Sequence, residues 1–334
     1  MKDLTIIMPT FNKEKYIRKA LDSIFEQITT YSFEILISDD FSTDRTLDIV
    51  MEYKNKNIID IKILKSESNQ GLYHNIMKAY AELGNSKYFT VLDPDDYWCD
   101  KNKIQISIDY LEKHEDFTIY SSNIYIEKNK EHFKYFSQKR EKNFSYIDFL
   151  NGTALIGQTS GTFFRNVVFN NGIPPEILKF NQSSKYQTFR GDSFRNFIHI
   201  QKGNCHYDPV CRSVYVITED GIWTSTSEIK QDLVNITVNK DLFLYSGAKD
   251  FEILQKAYDS YKVYLKRLPS LILKNNFTNS DDINYIFSEL MKLQMFFNDY
   301  ASNIELEKQH KKKINNIVIK ILKRLYKRGI VYLE

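Results

Sequence analysis

The first hundred residues of the chain alternate four times between short apolar segments and amphipathic segments. The apolar segments are rich in β-branched and aromatic residues, as buried parallel strands are, and the segments between them repeat apolar residues at helical spacing. This alternation predicts a parallel sheet with helices on both faces. The four predicted strands are LTIIMPT, FEILISDD, DIKILKS and YFTVLDPDD, which begin at Leu4, Phe33, Asp60 and Tyr88.

A polar cluster lies at the end of each predicted strand. The clusters are PTFN, SDDFSTD, SESNQG and DPDD, and open α/β sheets bind ligands at this carboxyl edge. Neither GxGxxG nor GxxxxGK[ST] occurs, so neither a Rossmann dinucleotide site nor a P-loop is predicted. The four clusters together predict one polar site on a single rim, suited to a nucleotide held without either phosphate loop.

Two of these clusters each allow two interpretations. In DPDD, the aspartates either form a turn that caps the next helix, or Asp93 and Asp95 aim two carboxylates at a hard cation such as Mg²⁺ or Mn²⁺. Asp96 has the position expected of a helix cap. In SDDFSTD, Asp39 and Asp40 end a buried strand and can accept hydrogen bonds from a ribose or a base, whereas the following Ser, Thr and Asp are candidate helix caps.

Composition limits the class of protein. The chain has 334 residues, is 42% hydrophobic and 27% charged, and carries a formal net charge of only +3, which is ordinary for a globular protein and argues against a nucleic-acid partner. Its three cysteines have neither metal-ligand nor CxxC spacing, which favours a reducing cytoplasm. No signal peptide and no transmembrane helix are expected, because no apolar run is long enough.

The pattern becomes helical beyond residue 228, and residues 305–334 are strongly basic. In this tail, apolar residues from Ile314 to Leu325 recur at helical spacing among many Lys and Arg residues. One interpretation is a basic helix that packs its apolar stripe on the body of the protein. The other is a surface helix that binds anionic lipid, which would place the protein on the cytoplasmic face of the membrane.

The N-terminal motifs resemble the first half of the family 2 glycosyltransferases. The segments IIMPTFNKEKYIRKALDSIFEQ, FEILISDDFSTDRTLDIV, SNQGLYHNIMKAY and YFTVLDPDDYW match in order and spacing over roughly residues 4–104. The resemblance implies a GT-A fold, mainly a parallel sheet flanked by helices. It implies a GT-A domain over 1–227, with a nucleotide-sugar-binding half (1–104) and an acceptor half (105–227), and a helical C-terminal region over 228–334.

The resemblance also implies roles for individual residues. Asp93 and Asp95 would form the DxD motif, in which Asp95 binds a divalent metal, Mn²⁺ or Mg²⁺, and Asp93 contacts the ribose or a metal-bound water. Asn69 and Gly71 would lie near the sugar or the diphosphate. The nucleotide pocket would be lined by Pro9, Thr10, Phe11, Asn12, Glu14 and Asp40.

A looser resemblance covers the segment from FRGDSF to GIWTS. It implies that Asp192 is the catalytic base, because inversion needs one base on the face opposite the leaving group; a helix cap after a glycine is the alternative. Relatives often carry RxH before the Trp of this segment, and here Val216 and Thr218 hold those positions. Trp223 would keep a stacking or lid role, and Trp98 is a candidate platform for an acceptor sugar.

The sequence therefore predicts a metal-dependent inverting glycosyltransferase. It would move a sugar from a nucleotide diphosphate sugar to a hydroxyl of a glycan or lipid-linked acceptor in cell-surface polysaccharide synthesis. One alternative is a nucleotidyltransferase that makes a sugar nucleotide, although PTFNKEKY lacks the glycine-rich loop that such an enzyme needs. The other is a non-catalytic GT-A-like binding module, which only Val216 and Thr218 favour.

Overall fold

The computed structural model describes residues 2–178, 191–218, 221, 226–274 and 280–300. The predictions for Trp223 and for the basic tail 305–334 lie outside these residues. The described residues belong to two compact units, which divide after Thr218.

The first unit is built on a ten-stranded sheet. The strands are β1 (Leu4–Thr10), β2 (Phe33–Asp39), β3 (Asp60–Lys65), β4 (Tyr88–Val91), β5 (Tyr97–Trp98), β6 (Phe117–Lys128), β7 (Glu131–Lys134), β8 (Lys142–Phe144), β9 (Thr162–Arg165) and β10 (Asn204–Val216). Their order is β3-β2-β1-β4-β9-β6-β10-β5, with β7 paired to β6 and β8 to β10. The strands β1 to β4 are parallel, β10 is parallel to β6, and β9 runs antiparallel between β4 and β6.

Helices cover this sheet. Those described in the first unit are α1 (Ile17–Phe25), α2 (Thr46–Lys54), α3 (Leu72–Ala81), α4 (Lys103–Lys113), α5 (Tyr146–Leu150), α6 (Pro175–Leu178) and α7 (Gly191–Ile200). Every residue of β1 is buried, and α1 buries the apolar face that its sequence predicts. Strand and helix therefore share one hydrophobic core, and the predicted mixed α/β architecture is confirmed.

The register of the parallel strands brings the polar clusters to one rim. Thr10 at the end of β1 pairs with Asp39 at the end of β2, and Asp39 pairs with Lys65 at the end of β3. On the other side of β1, Ile7 pairs with Val91 of β4, so the chain leaves the sheet into DPDD beside the end of β1. The predicted rim is therefore formed by β1, β2 and β4.

The second unit contains the helices α8 (Glu228–Tyr245), α9 (Phe251–Lys274) and α10 (Ser280–Asp299). An aromatic contact joins α9 to α10, because the rings of Tyr261 and Phe297 stack at 5.0 Å between centroids. Arg267 of α9 forms ion pairs with Asp232, at 2.9 Å, and Glu228 of α8. The predicted helical C-terminal region is confirmed for these residues. None of the helices described is both long and apolar enough to span a membrane.

Candidate active site

The loop after β1 is fastened to the loop after β2 by hydrogen bonds in both directions. The Asn12 N–H donates to Ser42 Oγ at 3.0 Å, and Asn12 Oδ1 accepts from the Thr43 N–H at 2.8 Å. Glu14 repeats this pattern with the next residues of the same loop, at 3.0 and 2.9 Å. Asn12 and Glu14, which are predicted to line the nucleotide pocket, hold two loops of the rim together.

Asp40 holds the entry of α3 in place. Its buried carboxylate accepts from the N–H groups of Gln70 at 2.9 Å and Gly71 at 2.7 Å. Gly71 has a φ of 88°, in the region that favours glycine, and its N–H also donates to Asn69 Oδ1 at 3.1 Å. Asp40, Asn69 and Gly71, which were predicted to contact the donor, therefore form one hydrogen-bonded unit at the rim.

Asp39 carries a free acceptor. Its side chain is buried, and Oδ2 accepts from the Ser42 N–H at 3.1 Å, whereas Oδ1 has no hydrogen-bond partner among the described residues. Buried polar atoms are nearly always hydrogen-bonded, so Oδ1 is suited to an N–H or O–H donor of a ligand. Pro9 and Thr10 are buried beside it in β1, and Phe11 is exposed directly after the strand.

The DPDD segment forms a turn that concentrates negative charge. The Asp96 N–H donates to the Asp93 carbonyl at 3.0 Å, and Asp95 Oδ2 lies 2.8 Å from Lys13 Nζ. Removal from water, together with the neighbouring charge of Asp95, raises the pKa of Asp93 to about 7. The structure therefore brings the two carboxylates of the predicted DxD motif close enough to repel each other.

Two cations of this site were missed from the sequence. Lys13 and Arg195 both act to lower the pKa of Asp93, against the larger effects of burial and of Asp95. Arg195 is buried in α7, where its Nη1 donates to the Tyr80 hydroxyl at 3.1 Å. Helical spacing could have indicated Arg195, which lies three residues after Asp192, but no sequence signal indicated that Lys13 would reach Asp95.

Asp192 lies in the first turn of α7 and belongs to the same site. Its Oδ1 accepts from the Ser193 N–H at 2.8 Å, and its charge also contributes to the raised pKa of Asp93. A helix N-terminus favours a carboxylate, so the position at the cap and a role in chemistry are compatible. The predicted base and the predicted DxD motif are thus brought together from positions about a hundred residues apart.

Asp96 does not cap a helix. Its buried Oδ1 accepts from the backbone N–H of Val216 at 3.0 Å, and α4 begins only at Lys103, with Asn102 as its N-cap. Burial, with the nearby Asp93 and Asp95 charges, raises the pKa of Asp96 well above its ordinary value. The cap prediction is wrong because the chain forms the short strand β5 before it turns into the helix.

The placement of Trp98 also contradicts its predicted role. The side chain is 4% exposed and packs against Phe163, with 5.8 Å between ring centroids. Trp98 pairs with Ser213 of β10 and is part of the hydrophobic core. It therefore offers no open face to a sugar. Val216 is the last residue of β10, and Thr218 lies two residues after it and is buried. These are the two positions noted for the RxH motif, and the first of them contacts the DPDD turn through the hydrogen bond from the Val216 N–H to Asp96.

The donor atoms at the DPDD turn suit a hard divalent cation. Among the residues described, no three His, Cys, Asp or Glu side chains form a ready-made set of metal ligands. Mg²⁺, however, is commonly held by one or two carboxylates and completes its shell with substrate phosphates and water. Asp95 and Asp93 therefore fit a metal that binds together with a diphosphate, and their mutual repulsion would be relieved by it.

Two solved structures share this fold. Staphylococcus aureus TarS residues 1–349 in complex with UDP matches with a TM-score of 0.64 at 15% identity, over 100% of this chain and 93% of that chain. The mannosyltransferase PcManGT from Pyrobaculum calidifontis, in complex with GDP-Man and Mn²⁺, matches with a TM-score of 0.52 at 13% identity, over 98% and 88%. The chain thus has the GT-A architecture, as predicted.

The family follows from the sequence match. The model described as Glycosyl transferase family 2 matches residues 5–172, about half of the chain, and the chain therefore belongs to this family. The predicted resemblance is confirmed.

Curated relatives match over shorter segments. An uncharacterized protein of Mycobacterium bovis is 32% identical over 116 residues, which are 35% of this chain and 33% of that protein. The S. aureus poly(ribitol-phosphate) β-N-acetylglucosaminyltransferase TarS is 31% identical over 115 residues, 34% of this chain and 20% of that protein. The Escherichia coli UDP-Glc:α-D-GlcNAc-diphosphoundecaprenol β-1,3-glucosyltransferase WfaP is 35% identical over 129 residues, 39% and 49% respectively. The chain spans between a fifth and a half of the length of these relatives.

Proposed function

We propose that the protein is an inverting glycosyltransferase that uses a nucleoside diphosphate sugar and a divalent metal. The observation that carries this proposal is the convergence of Asp93, Asp95 and Asp192 on one rim, beside the free acceptor of Asp39. The diphosphate of the donor needs a metal site, and the nucleobase of the donor needs a polar partner. The attacking hydroxyl of the acceptor needs a proton acceptor. The rim supplies one candidate for each of these requirements.

The donor side begins at the ends of β1 and β2. Asp39 Oδ1 is the acceptor available for an N–H of the base or a hydroxyl of the ribose, and the exposed ring of Phe11 is next to it in the chain. The hydrogen bonds of Asn12, Glu14 and Asp40 keep the surrounding loops in place without the donor. TarS has been solved with UDP and with UDP-GlcNAc, and WfaP is named for UDP-Glc, so a UDP-sugar is the first donor to test.

The metal would be held by Asp95, with Asp93 in contact with it or with its bound water. When bound, it would neutralise negative charge on the departing nucleoside diphosphate. Lys13 Nζ lies 2.8 Å from Asp95 Oδ2, so this ion pair would open when Asp95 ligates the metal. The positive charge of Arg195 acts on Asp93 and lowers its pKa.

Asp192 is the proposed base. Its carboxylate takes the proton of the acceptor hydroxyl as that oxygen forms its bond to the anomeric carbon, and the bond from that carbon to the diphosphate oxygen breaks. The nucleoside diphosphate leaves from the opposite face, which inverts the anomeric centre. The names of TarS and WfaP both specify β-linkages, the result expected when an α-linked nucleotide sugar is inverted.

The proposed acceptor is a glycan or a lipid-linked glycan of the cell surface. TarS is named for poly(ribitol-phosphate), a polymer, and WfaP for GlcNAc on diphosphoundecaprenol, a lipid-linked sugar. The basic residues of the segment 305–334 would keep the protein at an anionic membrane on the cytoplasmic side, where a lipid-linked acceptor is available.

The test is a nucleotide-release assay with UDP-, GDP- and dTDP-sugars, with Mn²⁺ or Mg²⁺. We expect release of nucleoside diphosphate from one donor class, and its loss in Asp95→Asn. Asp192→Asn should lower transfer by about 10²- to 10⁴-fold while UDP still binds. Glu67→Gln, an exposed site on the rim loop after β3, is the matched control for loss of one carboxylate.

Three outcomes would contradict the proposal in different ways. Binding of UDP without release from any donor would favour a non-catalytic module. Consumption of a sugar phosphate and nucleoside triphosphate, with release of pyrophosphate, would favour a nucleotidyltransferase. Full transfer by Asp192→Asn would show that the base lies elsewhere.

The membrane proposal has its own test. We expect the full chain to sediment with vesicles that contain anionic lipid, and a chain truncated after residue 304 to stay in solution. Equal sedimentation of the two chains would refute a membrane role for the tail, whatever the nucleotide assay shows.

A further inference from the structure

An aromatic surface lies on the hairpin formed by β6 and β7. Ile126 pairs with Phe133 in this antiparallel ladder, and the Tyr135 N–H continues the ladder by donating to the Ile124 carbonyl at 3.0 Å. Residues directly opposite each other share a face, so Phe133 and Tyr135 project from the same side of the sheet. Their side chains are 51% and 41% exposed. They are two residues apart in the chain, a Cα spacing of about 7 Å in extended backbone, and both are open to solvent.

This surface continues to the candidate active site through Tyr215. The parallel register of β10 with β6 pairs Tyr215 with Ile126, which places it on the same face as Phe133 and Tyr135. Burial, followed by the charges of Asp96, Asp95 and Asp93 and the proximity of Tyr135, raises the pKa of Tyr215 to about 12. Tyr215 also directly precedes Val216, whose N–H donates to Asp96 Oδ1 at 3.0 Å, so the face that carries the exposed rings continues along β10 to the DPDD turn.

We propose that the surface formed by Phe133, Tyr135 and Tyr215 binds sugar rings of the acceptor glycan. The proposal rests on the proposed function, because an acceptor glycan is expected beside this rim only if the rim is the site of glycosyl transfer. A sugar ring has one face of C–H groups and an equatorial edge of hydroxyls. The flat rings supply apolar contact for the face, and the tyrosine hydroxyls supply polar contact at the edge.

The chemistry of the surroundings favours a sugar over an apolar protein partner. The exposed rings are bordered on the same face by Lys128 and Glu131, which pair with each other and are both exposed, whereas Lys134 pairs with Tyr125 on the opposite face. The opposite face of the same hairpin is polar, because Glu127 accepts from the Tyr97 hydroxyl at 2.8 Å and lies 3.0 Å from His132 Nε2. Isolated aromatic rings within a charged surface are suited to a hydroxylated ligand, whereas a protein interface of standard size needs a broader apolar centre.

The surface also accounts for the acceptor platform that Trp98 does not supply. Trp98 of β5 pairs with Ser213 of β10, and its side chain belongs to the hydrophobic core. Tyr215, two residues after Ser213 on β10, lies next to Val216, whose N–H donates to Asp96 Oδ1. The platform is therefore assigned to a different strand and to different residues.

The test measures binding of free trisaccharides by saturation-transfer NMR. The panel contains trisaccharides of glucose, N-acetylglucosamine, galactose and mannose, offered to the full chain with UDP present. We expect ring C–H protons of at least one trisaccharide to receive saturation. The double variant Phe133→Ala/Tyr135→Ala should weaken its binding by about tenfold or more, a change equivalent to about 1.4 kcal/mol. The ring-preserving double variant Phe133→Tyr/Tyr135→Phe should keep most of the binding.

Ile58→Ala is the matched control. Ile58 is 73% exposed and lies just before β3, at the opposite end of the strands from the rim, so its loss should leave saturation unchanged. The proposal is overturned if no trisaccharide receives saturation, or if the double alanine variant, shown to be folded by circular dichroism, binds like the wild type.

A separate titration of the wild type with UDP distinguishes this proposal from the proposed function. Trisaccharide binding at the aromatic surface without UDP binding would support a glycan site and contradict the glycosyltransferase. UDP binding with no effect of the aromatic variants would support the donor site and refute the aromatic surface.

Discussion

The substitution Asp40→Asn should destabilise the first unit, because both oxygens of its buried carboxylate accept backbone N–H groups at the entry of α3. The asparagine carbonyl can keep the bond to one of Gln70 and Gly71, but its amide then presents a donor to the other N–H. A hydrogen bond to a charged group contributes about 1.5–3 kcal/mol, and a donor that faces the new amide instead costs up to about 1–3 kcal/mol. The cost falls on the Gln70 N–H, because the Gly71 N–H also donates to Asn69 Oδ1. We expect the free energy of unfolding to fall by about 3 kcal/mol.

Urea denaturation followed by tryptophan fluorescence measures this change. The chain has two tryptophans, so a Trp223→Phe background leaves Trp98, buried in the core of the first unit, as the reporter. A loss of about 3 kcal/mol corresponds to a fall in Tm of about 6–12 °C for a unit of this size. Glu67→Gln, an exposed carboxylate in the loop that leads to Gln70, is the control and should shift neither value.

An unchanged urea midpoint in Asp40→Asn would refute the reasoning. It would mean that the loop before α3 does not depend on Asp40, and that its carboxylate is available to a ligand instead. In that case UDP affinity, rather than stability, should respond to the substitution.

Three further changes have defined outcomes. Phe89→Ala should lower the free energy of unfolding by about 3–5 kcal/mol in urea denaturation, because the ring is fully buried; a loss below about 1 kcal/mol would contradict the packing. Burial lowers the pKa of Lys103 from 10.5 to about 7. Between these two pH values the unfolded state binds one more proton than the folded state, so the free energy of unfolding of the wild type should rise with pH, by at most about 1.4 kcal/mol per pH unit. Lys103→Met should remove this rise in denaturation measured across that range, and a parallel rise in the variant would refute the assignment. Lys13→Met should raise the pKa of Asp93 above about 7 in a carboxyl ¹³C NMR titration without added metal, whereas Lys13→Arg should not; equal values in both variants would exclude a role for the Lys13 charge.

The sequence predicted the fold because its strands and helices are specified locally. LTIIMPT forms β1 with the predicted bounds, from Leu4 to Thr10, and FEILISDD forms β2 from Phe33 to Asp39. The gathering of the polar clusters at one rim was also predictable, since parallel strands place their carboxyl ends together. The antiparallel insertion of β9 between β4 and β6 was not, because pairing order depends on contacts between distant segments.

Hydrogen bonds across loops were the least predictable part of the site. Ser42 and Thr43 were candidate caps for α2, yet Arg45 has the N-cap position, and both residues bond to Asn12 instead. Local rules describe what a serine or threonine can do near a helix start, but a second loop competes for the same groups. The competing loop is about thirty residues away in sequence, so no local pattern indicates it.

The DPDD turn shows why residue type alone could not assign its three carboxylates. All three follow a buried strand, and any of them could cap a helix or bind a cation. Asp96 neither caps a helix nor is open to a cation at Oδ1, because this atom accepts a hydrogen bond from the Val216 N–H of the neighbouring β10. Asp95 forms an ion pair with Lys13, and the charges of Asp192 and Arg195 both affect the pKa of Asp93. The different surroundings of the three carboxylates are therefore imposed by β10, α7 and the loop after β1, which come from distant parts of the chain.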